Sequence, residues 1–264
     1  MTIKTTAALV HELARNAGKI MVRVFGMGIK KEWKRDSSPV TAADKEINQM
    51  VSEWVQKNFP KHGFLGEEGD MFNEKASDLW ICDPIDGTIP FSHGIPTCTF
   101  SLALVQDGRP TLGVLYDPFL KRLFFAEKNR GATCNGKSVC VSSARSLRQT
   151  AIGTTIWKNA AYDIRSFNDQ LAERGAFVLC HACTTYPGML VAAGELSANI
   201  WPGKNPWDVA AQKIIVEEAG GKATDLFGKE QRYDRRVNGW IVSNGHVHSE
   251  LVDIAKTYIK QKSA

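Results

Sequence analysis

The feature that most constrains this chain is the hexapeptide Asp83-Pro84-Ile85-Asp86-Gly87-Thr88, which follows the apolar run Leu79-Trp80-Ile81-Cys82. The run reads as a buried strand feeding a tight turn. Two carboxylates at the end of such a strand repel each other and are each penalised by desolvation. A divalent cation is the simplest way to neutralise both. The chain must therefore fold so that further oxygen ligands reach this turn. Glu67, in Gly66-Glu67-Glu68, and Asp208, in Trp207-Asp208, are the candidates. With no His or Cys among them, the donor set selects Mg²⁺ or Mn²⁺ over Zn²⁺.

Gly87 permits close backbone approach, so the N–H groups of Gly87 and Thr88 are available to a phosphate held beside the metals, and the Thr88 hydroxyl to a water. Taken singly, the hexapeptide also fits a plain turn, and Asp208 an ordinary helix N-cap ahead of Val209, Ile214 and Val216. The combination points to a metal centre.

Apolar residues at three- and four-residue steps from Leu9 to Val24 predict an amphipathic helix. A polar, basic loop over 26–39 follows, with Lys30, Lys31, Lys34 and Arg35. It reads equally as a solvated loop or as a lid over an anion. Thr41 and Asp44 form a capping-box-like pair opening a second helix, stopped by Pro60. Antiparallel strands are expected near 99–106, 111–116 and 122–127, then a hairpin at Asn135-Gly136. Beyond residue 146 strands near 151–155, 176–181, 198–201 and 240–243 alternate with helices near 159–174, 207–219 and 247–260. The fold class is thus α/β, with an α+β half over 1–145 and an α/β half over 146–264.

The composition, 43% hydrophobic and 23% charged, is that of an ordinary globular chain, and no apolar stretch is long enough to span a bilayer. His11, Glu12, Arg15 and Lys19 interrupt the N-terminal segment, so it lacks a secretory h-region, and the expected location is cytoplasmic. The six cysteines are expected as reduced thiols, because Cys180-His181-Ala182-Cys183 has no second Cys/His pair at metal-finger spacing. A net charge of +5, without aromatics interleaved among the basic residues, gives nucleic acid little support as a partner.

Gly66-Glu67-Glu68, the hexapeptide, Asn135-Gly136-Lys137 and Trp207-Asp208 through Glu218-Ala219-Gly220-Gly221 together resemble the inositol monophosphatase family, within the lithium-sensitive, metal-dependent phosphatases that include fructose bisphosphatases. The resemblance implies a layered αβαβα sandwich, commonly a homodimer, acting on a small phosphorylated metabolite. It implies two or three Mg²⁺ ions, one on Glu67, Asp83 and the Ile85 carbonyl and a second on Asp83, Asp86 and Asp208. It also implies an Asp44–Thr88 hydrogen bond that, with Glu67, helps deprotonate the attacking water. Asp86, Gly87, Thr88 and Asp208 would meet substrate as well.

At the position where inositol-specific members carry a hydroxyl-binding glutamate, this chain has Trp201. A Trp face stacks on a sugar or a flat ring, or packs in the core, and Lys204 suits a second anionic group. Inositol monophosphate or a related sugar phosphate is the first expectation. Fructose 1,6-bisphosphate, histidinol phosphate and a 3′-phosphonucleotide are the alternatives within that chemistry, and an RNA- or protein-binding regulatory role on the same fold is the alternative outside it.

Overall fold

The computed structural model describes residues 3–34 and 38–262; Arg35, Asp36 and Ser37 of the basic loop lie outside the described residues. Seven helices occur among them: α1 (Ile3–Val24), α2 (Ala42–Asn58), α3 (Thr88–Ser92), α4 (Arg165–Glu173), α5 (Thr185–Ala192), α6 (Ala210–Glu218) and α7 (His248–Tyr258). They sandwich two sheets. The larger has eight strands in the spatial order Lys137–Ser138, Ala132–Cys134, Arg122–Glu127, Arg109–Asp117, Thr99–Gln106, Asp78–Asp86, Gly63–Gly66 and Met71–Phe72. The smaller has five, in the order Phe177–Cys180, Ala151–Thr154, Ala198–Trp201, Trp240–Ser243 and Lys222–Thr224.

Strand alternation assigns the layers. In the larger sheet Trp80, Cys82, Phe100, Leu102 and Val114 face α1 and α2, whose Val10, Leu13, Ala17, Ile47, Val51 and Val55 are buried against them. Leu79, Ile81, Ala103, Val105 and Leu115 face the other way, onto Met189 and Val191 of α5 and Ile214 and Ile215 of α6. That central core also takes Ala223, Trp240 and Val242 from the smaller sheet. The far face of the smaller sheet, with Ile152, Ala198, Ile200 and Ile241, packs on Phe167 and Leu171 of α4 and Leu251 and Ile254 of α7. The result is the expected αβαβα sandwich.

Several local expectations are corrected. The helix expected over 159–174 starts only at Arg165, where the Asp163 carboxylate accepts the Arg165 N–H at 3.1 Å. Tyr162–Asp163 instead pairs antiparallel with Lys260–Gln261. Helix α5 was not foreseen, because Pro187-Gly188 reads as a breaker. Its glycine lets it pack against α6, since a Cβ there would collide with the Gln212 side chain. The edge strand Lys222–Thr224 is likewise too short to show a period. The Asn135-Gly136 hairpin is found, both residues having positive φ, at 50° and 78°.

Candidate active site

Strands Gly63–Gly66 and Asp78–Asp86 are parallel neighbours with Gly66 opposite Cys82. The residues that follow these two partners, Glu67 and Asp83, therefore emerge side by side at the carboxyl ends of the strands. The Glu67 N–H still donates to the Cys82 carbonyl at 3.1 Å. Against the strand on its other side, Asp83 faces Ser101 and Asp86 faces Thr99, so three steps oppose two. That bulge falls on Pro84, which has no N–H to lose from the ladder, and it lets Asp83 and Asp86 converge.

The second pair of contributions comes from far along the chain. The Asp86 carboxylate accepts the Thr184 N–H at 2.8 Å, the Thr185 N–H at 2.6 Å and the Thr185 hydroxyl at 2.7 Å, all at the start of α5. Asp208 lies in the turn before α6, which begins at Ala210, and in that turn the Pro206 carbonyl accepts the N–H groups of Val209 and Ala210. The helix therefore starts later than the sequence suggests. One carboxylate oxygen from each of Asp83, Asp86 and Asp208 lies within 4.8 Å of the others.

Burial and mutual repulsion govern the chemistry of this trio. Asp83 is 1% exposed, and burial, then the Glu67 carboxylate, then Asp86 and Asp208, push its carboxyl well above the usual range. Asp208 is pushed the same way by burial, then by Glu67 and Asp86. Burial raises Asp86 to about 6, the bonds from Thr185 and Thr184 opposing the rise. The Oδ1 atom of Asp83 is buried without a hydrogen-bond partner among the described residues. An orphaned oxygen in an all-carboxylate cluster fits a divalent cation, which would supply the missing positive charge.

Beside the trio, Asp44 is fully buried in the first turn of α2. Its Oδ2 accepts the Thr41 N–H at 2.8 Å and the Thr41 hydroxyl at 2.5 Å, while Oδ1 receives the Thr88 hydroxyl at 3.3 Å. The same hydroxyl lies 3.1 Å from the Ile85 carbonyl. Burial raises the Asp44 carboxyl to about 6. Gly87 turns the chain with φ of 89°, and a Cβ there would come within 2.9 Å of both Cys183 Cβ and the Thr97 carbonyl. The turn is therefore closed to any larger residue.

Two sequence candidates, Trp201 and Lys204, are not among the carboxylates brought together here. Trp201 is 4% exposed, within the central core and 6.1 Å from the Trp157 ring. Lys204 is half-buried, and its carbonyl accepts the Val237 N–H at 2.9 Å. Sequence reasoning missed Thr184 and Thr185, because nothing in their spacing links them to Asp86. It also missed Lys34 as a site residue: its ammonium lies 2.8 Å from Glu67 Oε1 and 2.8 Å from Glu68 Oε1.

The family model described as inositol monophosphatase family matches residues 3–260. A Thermotoga maritima protein named fructose-1,6-bisphosphatase/inositol-1-monophosphatase is 34% identical over 252 residues, 95% of each chain. A histidinol-phosphatase from Chlorobaculum parvum is 36% identical, covering 92% of this chain and 94% of its own. The solved structure of a Thermotoga maritima IMPase superposes with a TM-score of 0.86 at 33% identity, over 97% of this chain and 98% of that one. Sequence, fold and the gathering of acidic side chains at two strand ends agree that the chain belongs to the inositol monophosphatase family, a family of phosphatases.

Proposed function

We propose that the site hydrolyses a small phosphate monoester, an inositol monophosphate or a related sugar or polyol phosphate, with Mg²⁺ held by carboxylates and no covalent enzyme intermediate. The observation that carries this reading is the convergence of Asp83, Asp86 and Asp208 oxygens within 4.8 Å, with Asp83 Oδ1 lacking a hydrogen-bond partner among the described residues. Glu67, Asp83, Asp86, Asp208 and the Ile85 carbonyl would hold the ions. Bound there, Mg²⁺ would acidify a water and offset charge on the phosphoryl and leaving oxygens.

The remaining steps belong to the chain. Asp44, held by Thr41, fixes the Thr88 hydroxyl; that hydroxyl and Glu67 orient the attacking water, whose proton passes either to Glu67 or, as Thr88 gives its own proton to Asp44, to the Thr88 oxygen. Gly87, which no larger residue can replace, brings backbone N–H groups up to the phosphate. Lys204 would meet a second anionic group on the substrate. Trp201 contributes chiefly the packing beneath that segment, since a Cβ on Gly203 would strike its ring. Lithium inhibition and a homodimer complete the reading on the family resemblance, and a cytoplasmic location on the charged residues that interrupt the N-terminal segment.

Phosphate release from inositol 1-phosphate, fructose 1,6-bisphosphate, histidinol phosphate and a 3′-phosphonucleotide, with Mg²⁺ and again with Li⁺, tests it. The expected result is Mg²⁺-dependent turnover that Asp208→Asn abolishes. Unchanged turnover in that variant, or in chelator, would remove the mechanism. Salt-sensitive RNA binding with no turnover on the panel would favour the regulatory role instead.

A further inference from the structure

Lys34 sits at the end of a short strand, Lys31–Trp33, that pairs with Pro39–Thr41, and its own N–H donates to the Ser38 carbonyl at 2.8 Å. The ribbon ends at Thr41, whose N–H and hydroxyl hold Asp44. The backbone of Lys34 is thereby tied to the same residues that build the water-activating side of the site. Its ammonium bridges two carboxylates that differ in kind. Glu68 has a side chain 7% exposed, and among the described residues its ion-pair and hydrogen-bond partner is Lys34. Glu67 is 18% exposed and also borders Asp83.

We propose that Lys34 is a tethered counter-ion, anchored on Glu68, that competes with the divalent cation for Glu67. This deepens the phosphatase reading and rests on it. The ammonium, 2.8 Å from Glu67 Oε1, already supplies the positive charge that a cation would bring to this carboxylate, so filling the metal site sets one positive partner against the other. Glu68 cannot join the exchange without losing the counter-ion of a nearly buried carboxylate, which holds Lys34 at the site after Glu67 is released. Lys34 therefore sets the metal concentration at which the enzyme fills.

The test is a double-mutant cycle on Mn²⁺ affinity, read by the EPR signal of free Mn²⁺ with no substrate present. Lys34→Gln should tighten Mn²⁺ binding at least three-fold, whereas Lys34→Arg, which keeps the charge, should stay near the wild-type value. Glu68→Gln should weaken binding, because Lys34 then pairs with Glu67 alone. In the Lys34→Gln background that second substitution should have no effect. A simple field effect would instead make the two changes additive, and additivity overturns the proposal. Equal affinity in wild type and Lys34→Gln, with circular dichroism showing both folded, overturns it while leaving the metal site intact. Absence of Mn²⁺ binding in every variant sinks this proposal and the phosphatase reading together.

Discussion

The carboxylate of Asp86 is held by Thr185, 99 residues further on, which gives it both a backbone N–H at 2.6 Å and a hydroxyl at 2.7 Å. The Thr185 hydroxyl also contacts the Thr99 hydroxyl on the strand opposite Asp86. One threonine thus fixes the orientation of a proposed metal ligand from a helix far along the chain. Thr185→Val keeps the shape and removes the donor. A hydrogen bond to a charged group contributes roughly 1.5–3 kcal/mol, so kcat/KM at limiting Mg²⁺ should fall about 10- to 100-fold. A Mg²⁺ titration of turnover checks this, and an unchanged curve would show that the backbone N–H groups suffice.

Asp83 works against the stability of the metal-free chain, because its carboxylate is buried among Glu67, Asp86 and Asp208. Its carboxyl is raised in the fold, so the charged form at neutral pH costs stability that protonation would return. Asp83→Asn should therefore melt higher than wild type in chelator, by roughly 1–3 kcal/mol. Added Mg²⁺ should stabilise the wild type and leave the variant's melting temperature unmoved. Calorimetry with and without Mg²⁺ decides it.

His248 predicts an acid limit that has no connection with the active site. The buried ring lies between the Thr224 and Ser243 hydroxyls, each at 2.9 Å, and burial, with Lys222 and Lys213 adding, lowers it to about 4 from an ordinary 6.5. A lowered imidazole is neutral in the fold while the unfolded chain takes up a proton. Stability is therefore full above pH 6.5 and falls as pH drops toward 4, by about 3 kcal/mol from this residue. In His248→Gln that slope should be missing, so denaturant unfolding should show the gap between variant and wild type narrowing from pH 7 to pH 4.

Packing between α5 and α6 reaches the site through one glutamine. The Gln212 amide donates to the Asp208 carbonyl at 2.5 Å, and the same side chain lies where a Cβ on Gly188 would go. Gly188→Ala should destabilise the fold by roughly 1–3 kcal/mol, an overpacking cost. It should also weaken Mg²⁺ affinity, as Gln212 is pushed off Asp208. Chemical unfolding and metal titration on one preparation measure both, and a loss of stability with metal affinity intact would uncouple the two.

How much could be read beforehand follows from the range of each interaction. Asp83, Asp86 and Gly87 were legible because a buried strand ending in two carboxylates is a local contradiction that demands a cation. Asp44 was legible as a helix cap through its spacing from Thr41, and as a site residue only through the family resemblance. Thr184, Thr185 and Lys34 were not, because their partners lie 98, 99 and 33 residues away and no period or cap marks them. Helix α5 escaped for a related reason: Pro187 and Gly188 argue against a helix locally, and only the close approach to Gln212 rewards the glycine.

The sequence alone determined which residues could carry the chemistry, hard oxygen ligands and a glycine turn, and which elements would alternate, since periodicity and side-chain chemistry are properties of neighbours along the chain. Tertiary structure decided which carboxylates meet, which hydrogen bonds hold them and which cation stands against them. Those outcomes depend on strand register, on the bulge at Pro84 and on where α5 and α6 pack between the sheets, and burial fixes their energies only once the layers have closed.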